Sequence, residues 1–326
     1  MATLSNQAKK ILITGGTGFF GRALLRNLLA SDYKDIEFII LSRQPEKFLT
    51  TYPLFANSAQ FQFVQSDIQD RSSLPWDCKL SHILHAATDS TIGPRLSPLQ
   101  RFQQIVEGTT NILDLALATG AKRFLLTSSG GIYGQQPPDL LAIPEDWAGS
   151  PTLADPATAY SQAKRAAEHL CALYQDSYGL QTVIARCFAF IGPDLPLDVH
   201  FAIGNFIYDA LHSQTITVAG DGTPLRTYLD QSDLAHWLWT LLQEGTPGEA
   251  FNVGSDEVVS IAELAHLVRD LAAPDKPVRI LGHPTASSSR NRYVPDITKA
   301  RDMHSLKVNI PLSTAILQTV RAHQNT

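Results

Sequence analysis

The stretch KKILITGGTGFFGRALL, residues 9–25, decides the fold. Its first part, KILIT (10–14), is apolar at consecutive positions, as a strand covered on both faces must be. Gly15, Gly18 and Gly21 follow at intervals of three, and FFGRALL opens a helical pattern. A strand, then G-x-x-G-x-x-G, then a helix is an arrangement suited to a dinucleotide pyrophosphate. The first glycine permits a tight turn, the second lets backbone N–H groups approach the phosphates, and the third lets helix and strand pack closely. The helix N-terminus adds partial positive charge. The alternative is a glycine-rich turn that holds no ligand.

Outward from that loop, β-rich runs alternate with helical patterns. EFIILS (37–42), QFQFVQ (60–65), SHILHAA (81–87), RFLLTSS (123–129) and QTVIAR (181–186) read as strands. Amphipathic segments lie near 20–30, 99–119 and 157–179. The repeated order predicts an α/β fold, a Rossmann-like doubly wound parallel sheet with right-handed crossovers. From about 187 the pattern is less regular, with helices at 201–213, 231–243, 260–272 and 312–323 and short strands near 215–218, 249–253 and 278–281. HPTASSSRNR (283–292) reads as a loop. The expected division is a dinucleotide-binding region, 1–186, and a smaller C-terminal substrate-binding α/β region, 187–326, packed intimately on the sheet end.

The 326 residues carry a net charge of −5, with no basic footprint for a nucleic acid. The three cysteines are scattered, without C-x-x-C, which argues against a disulfide framework or a zinc site. MATLSNQAKK has no apolar core of a signal peptide, and no apolar run is long enough to span a membrane. The expectation is a soluble cytoplasmic protein without membrane or nucleic-acid partners.

Chemistry concentrates at three places. After the second strand, where NAD binders usually carry an acid for the ribose hydroxyls, the chain reads Ser42-Arg43. An arginine there suits a 2′-phosphate through charge-assisted bonds, so NADP(H) is preferred, with NAD(H) possible. In AYSQAKRAAEHL, Tyr160 and Lys164 stand at i, i+4 on one helix face. A lysine beside a tyrosine stabilises phenolate and suits the tyrosine to proton transfer. In LLTSSGGIYG, Ser128 and Ser129 end a strand on the side where open α/β sheets bind ligands.

The order of the glycine loop, HAAT (85–88), TSSGGIYG, Tyr-x-x-x-Lys and ARCFAFIGP resembles the extended short-chain dehydrogenase/reductases of the nucleotide-sugar epimerase/dehydratase type. ITVAGDGTPLRTYLDQSDLA, AFNVGSD and RYVPDITKAR are similar to that family's substrate-region motifs. The resemblance implies a triad of Ser129, Tyr160 and Lys164, with Ser129 placed four residues before Tyr133. It implies cofactor contacts from Gly15, Gly18, Phe19, Phe20, Gly21, Ser42 and Arg43, adenine contacts from Asp67 and Ile68, and a nicotinamide side lined by Ala86, Ala87, Thr88, Tyr160 and Lys164. Arg226 and Arg292 match arginines that grip a substrate diphosphate. His200 or Asn205 would add substrate contacts, and a homodimer would form through the helices at 99–119 and 157–179.

Two departures narrow the reaction. Sugar 4,6-dehydratases of this type carry an Asp-Glu pair where this chain has Gly130-Gly131, and glycine transfers no proton. Ala189 replaces an asparagine that often touches the substrate. Together with Ser42-Arg43 this favours an NADPH-dependent reductase of a nucleotide-linked 4-keto-6-deoxyhexose. A C4 epimerase with tightly bound NAD is the main alternative, a hexuronate decarboxylase a weaker one, and a catalytically silent dinucleotide sensor or scaffold the reading from another class.

Overall fold

The structure is a computed structural model describing residues 9–31, 33, 35–88, 96–197, 199, 201–283 and 291–324. His200 and most of the 283–292 segment lie outside the described residues. The first six strands are β1 (Lys9–Thr14), β2 (Ile36–Ser42), β3 (Phe61–Gln65), β4 (His82–His85), β5 (Arg123–Ser129) and β6 (Gln181–Cys187). The helices among them are α1 (Phe19–Leu29), α2 (Pro45–Thr51), α3 (Pro98–Thr119) and α4 (Ala159–Tyr178).

The later elements are β7 (Phe190–Ile191), α5 (Ala202–His212), β8 (Ile216–Val218), β9 (Leu225–Arg226), β10 (Leu229–Asp230) and α6 (Gln231–Glu244). They continue with β11 (Ala250–Val253), β12 (Val259–Ser260), α7 (Ile261–Ala272), β13 (Val278–Ile280), β14 (Arg292–Tyr293), α8 (Thr298–His304) and α9 (Leu312–Gln324).

Seven strands form the main sheet in the order β11-β6-β5-β4-β1-β2-β3. β1 pairs in parallel with both β2 and β4, and β4 with β5. The strand order therefore reverses at β1, between β2 and β4, which is the switch point where doubly wound sheets bind ligands. The expected consecutive burial holds: Ile11, Leu12, Ile13, Phe38, Ile39 and Ile40 are all fully buried. Covered faces leave no room for alternating polar residues, and the strand sequences reflect this. The tail strand near 249–253 is not a separate feature, because as β11 it is the seventh strand of this sheet. The sequence patterns missed α2, α8 and the two-residue strands β7, β9, β10, β12 and β14.

The chain divides into two compact units. The first comprises Met1–Ser128, Asp155–Ala185 and Leu238–Glu249. Its core includes Trp239, whose ring lies 5.1 Å from that of Tyr33 and 5.8 Å from that of Phe38. Arg123, the first residue of β5, donates to the carbonyls of Leu242 (2.9 Å) and Gly245. α3 starts with a capping box, Ser97 with Gln100, and stops at Gly120 in the left-handed region, φ 78°.

The second unit comprises Ser129–Ala154, Arg186–Trp237 and Ala250–Thr326. It holds the three-stranded sheet β12-β9-β14 and the pairs β10-β7 and β13-β8. Ile132, Tyr133, Ile143 and Phe188 form a buried cluster in it. Asn252, fully buried, organises the polar side of that cluster. It accepts from Tyr133 Oη (2.8 Å) and donates to the carbonyls of Ile143 (2.8 Å) and Asp296 (3.0 Å). Arg186 donates to Tyr133 Oη and to the Glu145 carbonyl, both at 2.8 Å. The residues of the VYG-like, R-x-F and FNVG segments thus bind one another, which gives them a structural task.

Candidate active site

The glycine loop follows β1 and leads into α1. Gly15 has φ +73°, and a Cβ there would lie 2.5 Å from the Ala86 carbonyl oxygen, at the end of β4. A Cβ at Gly21 would lie 2.2 Å from the Gly16 carbonyl carbon, so the helix can meet the loop only without a side chain. Gly18 is different. Its φ is −84°, it is exposed, and the nearest atom to a Cβ is the Gly15 oxygen at 3.4 Å, an ordinary contact. Neither backbone nor neighbours require glycine at 18. A ligand such as a dinucleotide pyrophosphate, if it approached the loop backbone, would give glycine at 18 a reason. Phe19 and Phe20 open α1 half-buried, their ring centroids 5.9 Å apart.

A polar chain locks the switch point together. Thr14 Oγ1 lies 2.8 Å from His85 Nδ1, and His85 Nε2 lies 3.2 Å from Thr109 Oγ1 on α3. Ala87 N–H donates to Thr14 Oγ1 (3.1 Å), and Thr127 Oγ1 donates to the His85 carbonyl (3.2 Å). The tautomer of His85 sets which partner donates in each of its two contacts. Burial, then the positive Lys164, push the His85 pKa down to about 3, so the imidazole is neutral.

Lys164 is buried on α4 and donates to Thr88 Oγ1 (2.7 Å) and to the Thr127 carbonyl (2.8 Å). One turn earlier, the Tyr160 ring lies with its centroid 6.0 Å from Lys164 Nζ. One turn later, Glu168 accepts from Ser128 Oγ. Strand alternation explains the division between the two serines: Ser128 leaves β5 on the face opposite to Thr127 and Ser129. Ser129, the last residue of β5 and the first of the second unit, accepts the Gly131 N–H at 3.1 Å. The remaining capacity of its hydroxyl includes its proton. Arg101 on α3 was not legible as a site residue, yet its guanidinium carbon lies 4.4 Å from the Tyr160 ring centroid. His85, Thr127 and Glu168 were also missed as members of this region, because their partners lie 24 to 71 residues away in sequence.

The other expected residues are placed as follows. Ser42 ends β2 buried, its hydroxyl accepting from Gln44 N–H (3.2 Å), and Arg43 is exposed just beyond. The half-buried Asp67 carboxylate accepts from Gln69 N–H (3.0 Å). The Ile68 carbonyl accepts from Asn111 Nδ2 (2.8 Å) on α3. Ala86 N–H donates to the Thr14 carbonyl (3.2 Å) and Thr88 N–H to the Ala86 carbonyl (2.9 Å), so this segment wraps the end of β1.

In the second unit, Arg226 donates to the carbonyls of Leu225 (2.8 Å) and Asn291 (3.1 Å), and burial lowers its pKa. Arg292 donates to the Leu141 carbonyl at 3.4 Å. The register pairs Arg226 with Tyr293 and Arg292 with Leu225. Alternation therefore sends the two arginine side chains to opposite faces of the small sheet, and they are brought near in backbone only. The Asn205 amide nitrogen, in the orientation that satisfies both groups, donates to the carbonyls of Leu197 (3.1 Å) and Val199 (2.7 Å). Gly130 is the position of the missing acid. A Cβ there would meet Phe188 Cζ and Tyr293 Oη, each at 2.7 Å. Two aromatic side chains fill the space that a longer residue would need.

Residues 11–254 match the model of the NAD dependent epimerase/dehydratase family. The chain belongs to this family. UDP-glucuronic acid decarboxylase 6 of Arabidopsis thaliana is 30% identical over 297 residues, covering 90% of this chain and 82% of that protein. UDP-glucuronic acid decarboxylase 1 of Danio rerio is 28% identical, covering 96% and 72%. Among solved structures, UDP-glucose 4-epimerase of Thermotoga maritima, with UDP-glucose, superposes with a TM-score of 0.82 at 20% identity, over 97% of this chain and 99% of that one. UDP-glucuronic acid 4-epimerase of Bacillus cereus, in complex with NAD, gives 0.81 at 23% identity, over 97% and 99%. At these identities the structural likenesses show the fold of the epimerase/dehydratase family. Among the described residues no helix is long and apolar enough to cross a membrane, and no cluster of metal-ligating side chains occurs.

Proposed function

We propose that this member of the family is an NAD(P)-dependent oxidoreductase acting at C4 of a nucleotide-activated sugar. In its finer form it is an NADPH-dependent reductase of a nucleotide-linked 4-keto-6-deoxyhexose. The observation that carries the reading is the fixed dyad: Lys164 held between Thr88 and Thr127 at the switch-point edge, with Tyr160 one turn before it on α4. A bound reduced nicotinamide would supply the hydride. Tyr160 donates its phenolic proton to the oxygen that becomes the C4 hydroxyl, and solvent returns a proton to the phenolate. Lys164 stabilises the phenolate, and Ser129 directs its hydroxyl proton to the same sugar oxygen. Gly18 and the N-terminus of α1 would take the pyrophosphate, and Asp67 and Ile68 the adenine side. Ala86, Ala87 and Thr88 would flank the nicotinamide. Residues 1–186 and 187–326 would divide cofactor and substrate binding, with either Arg226 or Arg292, which leave their sheet on opposite faces, meeting the diphosphate.

Two features favour reduction over water elimination. The aromatic filling at Gly130 leaves no place for an acid there, and Ser42-Arg43 offers a 2′-phosphate a cation instead of a competing carboxylate. The names of the UDP-glucuronic acid decarboxylase relatives support a second reading, a hexuronate decarboxylase that keeps its NAD through the cycle, as a C4 epimerase would also do. Titration of the purified protein with NADPH and NADH, beside an Arg43→Ala variant, tests the choice. The reductase reading expects NADPH to bind about tenfold tighter or better, with the preference lost in the variant. NAD that copurifies, with affinity indifferent to Arg43→Ala, overturns it in favour of the second reading.

A further inference from the structure

Among the described residues two cations are set against the Tyr160 ring, and they are not equivalent. Lys164 is the one its sequence spacing announces. Its ammonium lies 6.0 Å from the ring centroid, and two of its protons go to Thr88 and Thr127. Arg101 is nearer, with its guanidinium carbon 4.4 Å from the centroid. It stands in the first turn of α3, fixed by Pro98 and by the Ser97–Gln100 capping box. Its Nε is buried and has no hydrogen-bond partner among the described residues. No carboxylate or carbonyl of the described residues takes the proton of that nitrogen.

We propose that Arg101 is a positioning residue that makes the Tyr160 phenol a stronger acid by holding its guanidinium against the ring. The inference rests on the reading of Tyr160 as the proton-transfer group. The physical argument is a cycle. A cation near a phenol is attracted by the ring quadrupole, but a cation near a phenolate is attracted by a full charge. The second attraction is larger, so the cation favours loss of the proton. Partial burial keeps solvent from screening it. The interaction is visible from the other side as well: burial lowers the Arg101 pKa, and Tyr160 opposes that shift.

Among the described residues, the other charged groups set against the ring are few. On α4 itself, Lys164 acts in the same direction. Glu168 opposes it from two turns away, about 12 Å along the helix axis, and is held by Ser128. From the end of β4, His85 is neutral. From α3 comes Arg101. Of the two cations described against the ring, the helix paired with its own contributes the nearer one.

The test is an ultraviolet titration of the phenolate of Tyr160, taken as each protein minus its Tyr160→Phe counterpart, without substrate. Arg101→Met is expected to raise the Tyr160 midpoint by about one pH unit, a tenfold loss of phenolate at a given pH. Arg101→Lys should retain part of the wild-type value, and the pH–rate profile should move with the titration. Lys164→Met, measured beside them, calibrates the second cation. A midpoint unmoved in a folded Arg101→Met protein overturns the inference. Arg101→Gln gives the same readout should Arg101→Met not fold. A midpoint that moves in a protein that reduces no 4-keto sugar would keep this inference and overturn the substrate reading.

Discussion

The switch-point region and the β9–β14 region each carry a cation, Lys164 and Arg226, but they hold them differently. Around Thr14, His85, Thr127 and Lys164, side chains bond to side chains and to strand carbonyls, and all four residues are buried. Around Arg226, a half-buried guanidinium rests on the carbonyls of Leu225 and Asn291, which any ligand oxygen could replace. Proton transfer requires groups fixed before the reaction, because reorganisation during the step adds to the barrier. Phosphate binding tolerates an arginine that exchanges weak backbone partners for stronger charge-assisted ones. The contrast teaches which substitutions should alter chemistry and which only affinity.

The largest expected effect sharpens that contrast directly. Tyr160→Phe should lower kcat by about 10²–10⁴-fold with little change in KM, whereas Arg226→Ala should raise KM by about tenfold and leave kcat nearly intact. Steady-state kinetics of both variants would break the comparison if the two parameters moved together in each. Next in size is a pair within the glycine loop. Gly15→Ala places a side chain at φ +73° against the Ala86 carbonyl and should cost about 1–3 kcal/mol of stability, read as a lowered melting temperature. Gly18→Ala should melt like the wild type and lose about tenfold in dinucleotide affinity.

The smallest effect is a pH dependence. His85 is held near a pKa of about 3 in the folded chain, against 6.5 for a free histidine. Its contribution is whole above about pH 6.5. As pH falls from there toward 3, the unfolded chain binds a proton that the folded chain refuses. Stability then drops by up to about 1.4 kcal/mol per pH unit. His82, lowered to about 4 by burial, acts in the same sense. Urea unfolding at about pH 7 and about pH 5 should show this slope, flattened in His85→Gln. An unchanged slope would mean that the buried switch-point chain is not what sets acid sensitivity.

Much of the sheet was legible because both-face burial writes itself into consecutive apolar positions. RFLLTSS matches β5 residue for residue, and KILIT differs from β1 only by Lys9. The two-residue strands were not legible, since two residues carry no period. β11 was visible as a strand but not as part of the main sheet, because pairing partners leave no mark on a four-residue run. Within the candidate site, Tyr160 and Lys164 could be joined by helical spacing alone. Arg101 could not, being 59 positions from Tyr160.

By itself, then, the sequence determined the strand–glycine–helix opening, the alternation that builds a doubly wound sheet, and the helical pairing of Tyr160 with Lys164. All are local consequences of residue type and period. Tertiary structure alone decided the rest. It showed that Ser128 serves Glu168 while Ser129 turns the other way, and that Arg226 and Arg292 leave their sheet on opposite faces. It also showed that Phe188 and Tyr293 occupy the space beside Gly130, and that α3 brings an arginine onto the ring of Tyr160. Those facts depend on packing between elements distant in the chain, and no local pattern of side chains encodes such distances.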